Sequence, residues 1–204
     1  MTPTKRAFDI LGALGLMALL ALPFAALVLC ILVLDGRPVF YVAERMKTPS
    51  QAFRLWKLRT MTPVATDSGV SGGDKSARLT RMGRVLRKAR LDEIPQLWNV
   101  LRGDMSFVGP RPPLRQYVER FPAVYAEVLK NRPGITGLAS LVYHAHEERL
   151  LAPCSTAEET DRVYCRACVP RKARLDLIYQ RHSSVCYDLV LMCRTVARVG
   201  RNRR

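Results

Sequence analysis

The chain has 204 residues, 49% of them hydrophobic, and a formal net charge of +16 at pH 7. This length suits one domain, with part of the chain left for a membrane segment. The six cysteines are scattered and form no compact disulfide framework, which argues against a small disulfide-stabilised secreted domain and suits a reducing cytoplasm. The basic balance favours anionic partners such as lipid headgroups, phosphorylated substrates or nucleic acid, and charge alone does not choose among them.

A long apolar segment occupies the first part of the chain. Residues 10–34 contain no charged side chain, and 25 helical residues would reach roughly 37 Å, enough for a hydrocarbon core ~30 Å thick. The segment is too long for a typical cleaved signal peptide and has no clear small-residue cleavage site. Pro23 lies near its middle, lacks an N–H donor and costs roughly 3 kcal/mol in a water-exposed helix, so a break is predicted there.

Basic residues flank the apolar segment on both sides. Lys5 and Arg6 precede it, and Arg37, Arg45 and Lys47 follow it. The positive-inside tendency favours the cytoplasm for both flanks. A straight membrane-spanning helix cannot place them there, whereas a re-entrant helix–break–helix can. On these residues alone, a single transmembrane helix and a re-entrant helix both remain open.

The middle of the chain predicts two short strands followed by a helix. A strand-like run of apolar residues at 39–42 and an alternation of apolar and basic residues at 52–58 indicate two strands. The Gly-, Ser- and Thr-rich stretch at 65–74 predicts a mobile loop. Helical spacing follows over residues 75–101, with Pro95 as a boundary or first-turn residue of a second helix.

Helical spacing also dominates the last third of the chain. A helix is predicted over 114–131, interrupted near Pro122, and further helices over 174–199. Apolar positions alternate with arginines over 174–199, which fits either a helix in the membrane interface or a helix packed on the domain core. The predicted fold class is therefore α+β, mostly α.

Two adjacent carboxylates, Asp92 and Glu93, follow a run of arginines at every third residue. Guanidinium groups bind phosphate oxygens in pairs, and carboxylates hold a cation or attack phosphorus. The pattern is typical of a site for an anionic, metal-bound phosphate substrate, and the alternative is a solvated helix end. The arginines of the run are Arg78, Arg81, Arg84, Arg87 and Arg90.

A pair of cysteines, Cys165 and Cys168, has the spacing of a metal-binding pair. A second well-spaced pair is missing, and the two cysteines fall in a helix-like stretch, so ordinary helix cysteines are favoured over a zinc site. A zinc-dependent regulatory protein stays open as an alternative. The side chains that could complete such a site are Cys154, His144, His146 and His182.

Five motifs occur in order after the N-terminal Lys5-Arg-Ala-Phe-Asp9 and the apolar segment. Together they resemble the bacterial sugar transferase family of monotopic polyprenyl-phosphate phosphoglycosyl transferases. The resemblance is dense over residues 4–140 and looser to about residue 195. The motifs are Lys57-Leu-Arg-Thr-Met61, Leu91-Asp-Glu-Ile-Pro-Gln-Leu-Trp-Asn-Val-Leu101, Gly103-Asp-Met-Ser106, Val108-Gly-Pro-Arg-Pro112 and Arg132-Pro-Gly-Ile-Thr-Gly137.

The resemblance implies a reaction and a site. Such enzymes move a sugar-1-phosphate from a UDP-sugar to undecaprenyl phosphate and release UMP, at the first membrane step of glycoconjugate or polysaccharide assembly. By correspondence, Asp92 attacks the β-phosphorus to form a covalent intermediate. Glu93 binds metal or manages protons, and Mg²⁺, held by Asp92 and Glu93, offsets the pyrophosphate charge. Arg87 and Arg111 are expected to contact phosphates, and the less certain members of the anionic pocket are Lys57, Arg59 and Arg132.

The resemblance also implies a location. The family active site lies at the cytoplasmic face of the bacterial inner membrane, which favours a re-entrant helix for residues 1–36 and a cytoplasmic catalytic domain for residues 37–204. Many relatives place Ser before the helix-breaking proline, whereas this chain has Leu22. The chain is expected to be a minimal catalytic unit without a nucleic-acid partner, and a homodimer stays open.

The alternative function is a non-enzymatic, basic, membrane-bound protein that docks anionic lipid or nucleic acid. It accounts for the charge and the apolar segment. It gives no role to the Asp92–Glu93 pair or to the ordered turn motifs.

Overall fold

A computed structural model describes residues 1–64, 69–70 and 72–201, so part of the loop predicted at 65–74 lies outside the described residues. The described chain is mostly helical, with two small sheets, which confirms the predicted fold class. The strands are β1 (Phe40–Met46), β2 (Ala52–Leu58), β3 (Ser106–Val108) and β4 (Gly134–Thr136). The helices are α1 (Pro3–Leu34), α2 (Arg81–Ala89), α3 (Gln96–Arg102), α4 (Arg115–Arg120), α5 (Pro122–Val128), α6 (Leu138–Leu151), α7 (Ala157–Val163), α8 (Val169–Arg181) and α9 (Val185–Arg201).

The apolar segment forms one helix, α1. The hydroxyl of Thr2 accepts a hydrogen bond from the backbone N–H of Lys5, and Pro3 occupies the first turn, where no intrahelical donor is needed. The helix continues through Pro23, so the non-helical break predicted there is not observed. A proline removes a single N–H donor and leaves the neighbouring helical bonds available, and local adjustment then keeps the segment helical.

Both ends of α1 are hydrogen-bonded to the same unit. Near its start, Arg6 donates to the carbonyls of Val100 and Leu101, each at 2.6 Å. Beyond its end, Arg59 donates to the carbonyls of Asp35 (2.6 Å) and Gly36 (2.7 Å). The intervening apolar side chains pack on two clusters of the same domain. The helix therefore lies along the domain rather than leading away from it.

The opposite face of α1 is apolar and exposed. Its most exposed side chains include Leu11, Leu19, Leu22 and Val33, each more than two-thirds accessible. Within the described residues, α1 alone has the length and composition of a membrane-crossing helix. An apolar face of this size is unfavourable in water, which indicates contact with lipid or another apolar surface.

The two predicted strands form an antiparallel hairpin. Phe40 lies opposite Leu58, and Met46 lies opposite Ala52. The buried side chain of Asn99 on α3 closes this hairpin against the helix: its Nδ2 donates to the carbonyl of Arg54 (2.8 Å), and its Oδ1 accepts from the N–H of Trp56 (3.2 Å). Asn99 thus fixes β2, which carries Lys57, to the helix that follows the Asp–Glu pair.

The helix predicted over 75–101 is divided into shorter elements. A 3₁₀ helix at Gly73–Arg78 precedes α2, whose N-cap is Thr80, with its hydroxyl accepting from the N–H of Gly83 (2.9 Å). Arg90 then adopts a left-handed conformation (φ 57°) and ends α2. The boundary predicted at Pro95 is confirmed, because α3 begins at Gln96 with Pro95 as its N-cap. The boundaries at Thr80 and Arg90 were not predicted, because the apolar periodicity continues across both.

A second, parallel sheet joins two of the sequence motifs. β3 pairs with β4, with Ser106 opposite Gly134 and Val108 opposite Thr136. A Cβ atom on Gly134 would lie 2.2 Å from the backbone nitrogen of Gly109, so glycine is needed for this close approach. The sheet orders the chain just before the Arg111 turn.

The predicted helices of the last part of the chain are observed. The interruption near Pro122 separates α4 from α5, and the 174–199 stretch falls in α8 and α9. Cys165 and Cys168 are buried free thiols in a π-helical turn, Tyr164–Cys168, between α7 and α8. Leu189, Val190 and Val196 are exposed on α9, consistent with its predicted amphipathic character.

Candidate active site

Asp92 and Glu93 lie in a tight turn between α2 and α3. The left-handed Arg90 reverses the chain, and a single 3₁₀ turn, Leu91–Glu93, follows it. Both carboxylate residues are 6% exposed, so the turn presents them to the interior and not to bulk solvent. Burial of two adjacent carboxylates is unfavourable unless cations accompany them.

Glu93 is surrounded by cations. Its Oε1 accepts from Lys57 Nζ (2.8 Å) and from an Nη of Arg111 (2.9 Å), and Arg90 lies 3.6 Å away. Burial favours the neutral acid, but the charges of Lys57 and Arg111 outweigh it and hold the pKa of Glu93 well below its usual range. Glu93 is therefore a permanent anion that fixes the two cations beside Asp92.

Asp92 has a different environment. Lys57 Nζ lies 3.9 Å from its Oδ2, and its Oδ1 is buried without a hydrogen-bond partner among the described residues. Burial, with the Glu93 charge, raises the pKa of Asp92, although Lys57 opposes the shift. The adjacent acids thus have pKa values pushed in opposite directions, a pattern typical of carboxylates with separate roles. Asp92 is the more basic of the two and has an oxygen available.

The same contacts shift the pKa values of Lys57 and Arg111. Burial lowers the pKa of Lys57, and the Glu93 carboxylate counteracts that shift. The Glu93 charge raises the pKa of Arg111 above its already high value. The Arg111 side chain is 37% accessible, and only one of its nitrogens bonds Glu93, so further donors remain for a ligand.

Arg87 approaches the dyad from α2. Its Nε donates to the hydroxyl of Thr60 (3.0 Å), and one Nη lies 3.3 Å from the sulfur of Met61. Burial lowers the pKa of Arg87, and the nearby charge of Asp92 raises it. One edge of the guanidinium is therefore held by the Lys57–Met61 motif while the group faces Asp92.

Arg59, expected in the anionic pocket, has other partners. Its Nη2 is occupied by the carbonyls of Asp35 and Gly36 just past the end of α1. Cationic groups at a helix C-terminus satisfy carbonyls that lack intrahelical donors. Arg59 and Lys57 are only two residues apart on an extended chain. A small difference in side-chain direction is enough for Arg59 to bind the end of α1 while Lys57 binds Glu93.

Arg132, also expected in the pocket, lies in a different basic cluster. Burial lowers its pKa, and its charged neighbours are Arg6, Asp9 and Asp104 rather than the dyad. With Arg6 it lines a cavity of about 470 Å³ at the start of α1. The backbone of the Arg132 turn lies beside Gly109 and Pro110, but the Arg132 side chain lies next to Gly103 and Arg6, in the cluster at the start of α1.

One residue near the site was not identified from the sequence. His144, on α6, has a pKa lowered to about 3 by burial and by the charges of Arg90 and Arg111. One turn further along α6, Glu147 binds Lys172 (2.9 Å), and its charge also acts on Arg111. His144 and Glu147 are three residues apart and share a helix face. In the sequence, the three-residue spacing indicates that His144 and Glu147 share a helix face. It does not indicate that this face of α6 lies near the dyad.

The donor set fits a divalent cation only together with a substrate. The described residues contain no group of three or more His, Cys, Asp or Glu side chains that could hold a metal ion. Mg²⁺ commonly binds one or two carboxylates and completes its shell with water and substrate phosphates. The unpartnered Oδ1 of Asp92 suits such a contact, whereas Oε1 of Glu93 is already occupied by Lys57 and Arg111.

Comparison with known proteins matches residues 1–202 to the family described as bacterial sugar transferase. The chain is 32% identical over 197 residues to an uncharacterized sugar transferase, EpsL, of Bacillus subtilis, covering 96% of this chain and 86% of the relative. It is 37% identical over 145 residues to a UDP-N-acetylgalactosamine-undecaprenyl-phosphate N-acetylgalactosaminephosphotransferase of Aeromonas hydrophila, covering 68% of this chain.

A third relative is a UDP-glucose:undecaprenyl-phosphate glucose-1-phosphate transferase of Caulobacter vibrioides, 39% identical over 141 residues and covering 67% of this chain. The chain spans 34% of the Aeromonas relative and 53% of the Caulobacter relative. The family match extends over both the apolar helix and the buried dyad. This chain therefore belongs to the bacterial sugar transferase family.

Proposed function

We propose that this protein transfers a sugar-1-phosphate from a UDP-sugar to undecaprenyl phosphate, with release of UMP, in bacterial polysaccharide or glycoconjugate assembly. The observation that carries the proposal is the buried Asp92 oxygen without a partner, beside Lys57 and near Arg87 and Arg111. The names of the Aeromonas and Caulobacter relatives supply the acceptor and the class of donor.

In the first step, a carboxylate oxygen of Asp92 attacks the β-phosphorus of the UDP-sugar. A carboxylate–phosphorus bond forms, the bond from that phosphorus to the bridging oxygen breaks, and UMP leaves with the bridging electron pair. In the second step, a phosphate oxygen of undecaprenyl phosphate attacks the phosphosugar on Asp92 and releases the carboxylate. No proton is consumed at the aspartate in either step, and the sequence is a double displacement.

The cations hold the negative charge of the reacting phosphates. Lys57 is fixed by Glu93 and lies next to Asp92, so it meets charge that develops at the attacked phosphorus. Arg111 shares Glu93 and offers its remaining donors to the diphosphate. Arg87, anchored through Thr60, is oriented toward the same place. Glu93 acts as a positioning residue, because its Oε1 bonds to cations and leaves no reason to assign it a nucleophilic role.

Mg²⁺ is proposed as the metal cofactor, with Asp92 as its main protein ligand and Glu93 as a secondary one. When bound, it would neutralise part of the diphosphate charge and act as a Lewis acid. The chain itself also supplies positive charge, because four cations surround the two carboxylates of the dyad. These cations are Lys57, Arg87, Arg90 and Arg111.

The proposed location is the cytoplasmic face of the bacterial inner membrane. Because both ends of α1 bond to the same domain, a straight crossing of the bilayer would separate groups that are in contact. A re-entrant or shallow position keeps those bonds and gives the exposed apolar face of α1 to lipid. The division into residues 1–36 and 37–204, and the formation of a homodimer, stay predictions.

The alternative, a non-enzymatic basic docking protein, fits the site less well. Docking of lipid headgroups or nucleic acid uses exposed cations and gains nothing from two buried carboxylates. The expectation of no nucleic-acid partner is therefore retained within the proposal.

The test is UMP release from a panel of UDP-sugars with undecaprenyl phosphate and Mg²⁺. Wild type should release UMP with at least one sugar in a lipid-dependent manner, and Asp92→Asn should not. Asp176→Asn, which alters another buried aspartate outside the site, is the matched control and should remain active. Unchanged release by Asp92→Asn, or no release by folded wild type with any sugar, would contradict the proposal.

A further inference from the structure

A second hollow, away from the dyad, lies between α6 and α8. Its volume is about 480 Å³, and its rim carries three arginines, Arg166, Arg171 and Arg174. Its floor includes Tyr143 and His146, whose rings lie 5.2 Å apart. No acidic side chain lines it among the residues that the structure describes.

The three arginines are exposed and have no hydrogen-bond or ion-pair partner in the described part of the chain. Other cations on the same surface are paired: Arg120 binds Asp161 at 2.7 Å, and Lys172 binds Glu147 at 2.9 Å. Several further arginines of this basic chain are unpaired, but these three converge on one concave surface. Guanidinium groups that share a hollow repel one another, and an anion between them relieves that repulsion.

The hollow is separate from the dyad. Tyr143 and His146 face it from α6, while His144 on the same helix lies near Arg90 and Arg111. Tyr143 is held in place on the hollow side, where its hydroxyl donates to the carbonyl of Ala167 (3.3 Å). The helix therefore stands between two cationic regions, and a ligand of one does not fill the other.

We propose that this hollow binds a phosphate group through Arg166, Arg171 and Arg174. Arginine presents planar pairs of donors that match phosphate oxygens, and three of them supply more donors than one phosphate accepts. The phosphate could belong to a soluble phosphate or nucleotide, or to the headgroup of an anionic lipid, and the chemistry of recognition is the same. The proposal does not depend on the transferase reaction.

The test uses the full chain in a neutral detergent and measures binding stoichiometry by calorimetry with three probes: inorganic phosphate, UMP and short-chain phosphatidic acid. The variant carries Arg166→Gln, Arg171→Gln and Arg174→Gln. A charge-matched control carries Arg149→Gln, Arg162→Gln and Arg181→Gln, which remove three arginines that do not line the hollow. Thermal unfolding shows that both variants are folded.

Wild type and the control should both show a binding event with one of the probes. In the hollow variant this event should be absent, or its affinity should be at least tenfold lower. An event that persists in all three proteins belongs to another site, and the assignment rests on the event that the hollow variant loses. Loss with inorganic phosphate or UMP identifies a soluble ligand, and loss with phosphatidic acid alone identifies a lipid headgroup. Equal loss in the control, or full binding by the hollow variant, would overturn the proposal, as would the absence of any binding event in wild type for all three probes.

Discussion

Two lysines in this protein each lie between two buried carboxylates, and only one of the two clusters has the features of an active site. Lys57 bonds Glu93 at 2.8 Å and lies 3.9 Å from Asp92. Lys5 bonds Asp188 and lies 3.7 Å from Asp9. A buried lysine between two acids is therefore not sufficient to indicate chemistry.

The surroundings distinguish the two clusters. At the second cluster, the hydroxyl of Tyr179 donates to Asp188 (2.6 Å) and that of Ser106 donates to Asp9 (3.1 Å), and both acids are 0% exposed. These bonds join the start of α1 to β3, α8 and α9. At the dyad, the added neighbours are partly accessible arginines instead of neutral donors. Asp9 Oδ2, like Asp92 Oδ1, is buried without a hydrogen-bond partner among the described residues, so the reachable arginines are what distinguish the dyad. Acids beside reachable cations can receive an anion, whereas the enclosed Lys5 cluster holds the fold together.

The largest effect is expected from Lys57→Met. Removing the cation beside Asp92 should lower kcat/KM for UMP release by about 10²–10³-fold, in the range found when one stabilising donor is removed from an active site. The measurement is steady-state UMP release. Lys88→Met, on the exposed face of α2, is the control and should retain activity. Comparable loss in both variants would show that overall charge, and not the dyad contact, is responsible.

Lys5→Met should instead reduce stability. It leaves Asp188 and Asp9 buried without their cation, and breaking a buried pair costs about 3 kcal/mol. Chemical denaturation in detergent measures the free energy of unfolding. The exposed pair Lys130–Glu127 provides the comparison, because Lys130→Met should cost under about 1 kcal/mol. An equal free energy of unfolding for Lys5→Met and wild type would contradict a structural role for the second cluster.

Asp176 is a buried carboxylate outside both clusters and has no close cation in the part of the chain that the structure describes. It has no ion pair among the described residues, and burial raises its pKa to about 7 from the usual 3.8. The folded state keeps this proton while the unfolded state releases it, so stability should fall as pH rises from about 4 to 7. Asp176→Asn should remove a loss of roughly 4 kcal/mol at pH 8 and little at pH 4, because the pKa shift is about three units at ~1.4 kcal/mol each. Thermal unfolding of both proteins across this range checks the prediction, and parallel curves would contradict it.

The smallest effect concerns Arg59. Because it binds the carbonyls past α1, Arg59→Gln should lower the free energy of unfolding by about 1–2 kcal/mol and leave the KM for the UDP-sugar near the wild-type value. Donor titrations of a folded sample, alongside Arg111→Gln, make the comparison. A raised KM for the UDP-sugar with an unchanged free energy of unfolding would show that Arg59 binds phosphate, as its motif predicts.

Local patterns in the sequence predicted much of the fold. Strand alternation located β1 and β2, Pro122 separated α4 from α5, and helical spacing located α8 and α9. The helix boundaries at Thr80 and Arg90 were not predicted, because apolar periodicity continues through caps.

The sequence predicted the dyad and its nearest cations better than the more distant residues of the candidate site. The adjacency of Asp92 and Glu93 is in the sequence itself, and their motif context pointed to Lys57, Arg87 and Arg111. The directions of Arg59 and Arg132 depend on where α1 ends and how β3 pairs with β4, and these are contacts between distant parts of the chain. The same is true of His144, which the sequence indicated only as a possible ligand of a zinc site.

The central claim is that Asp92 is the nucleophile, and intact-protein mass spectrometry tests it most directly. The protein is incubated with a UDP-sugar that supports UMP release, without undecaprenyl phosphate, and quenched rapidly. If Asp92 is the nucleophile, the protein gains the mass of one phosphosugar, and peptide sequencing maps the adduct to Asp92. The adduct is absent in Asp92→Asn and is removed when undecaprenyl phosphate is added. An adduct on another residue, or lipid-dependent UMP release by Asp92→Asn, would contradict it.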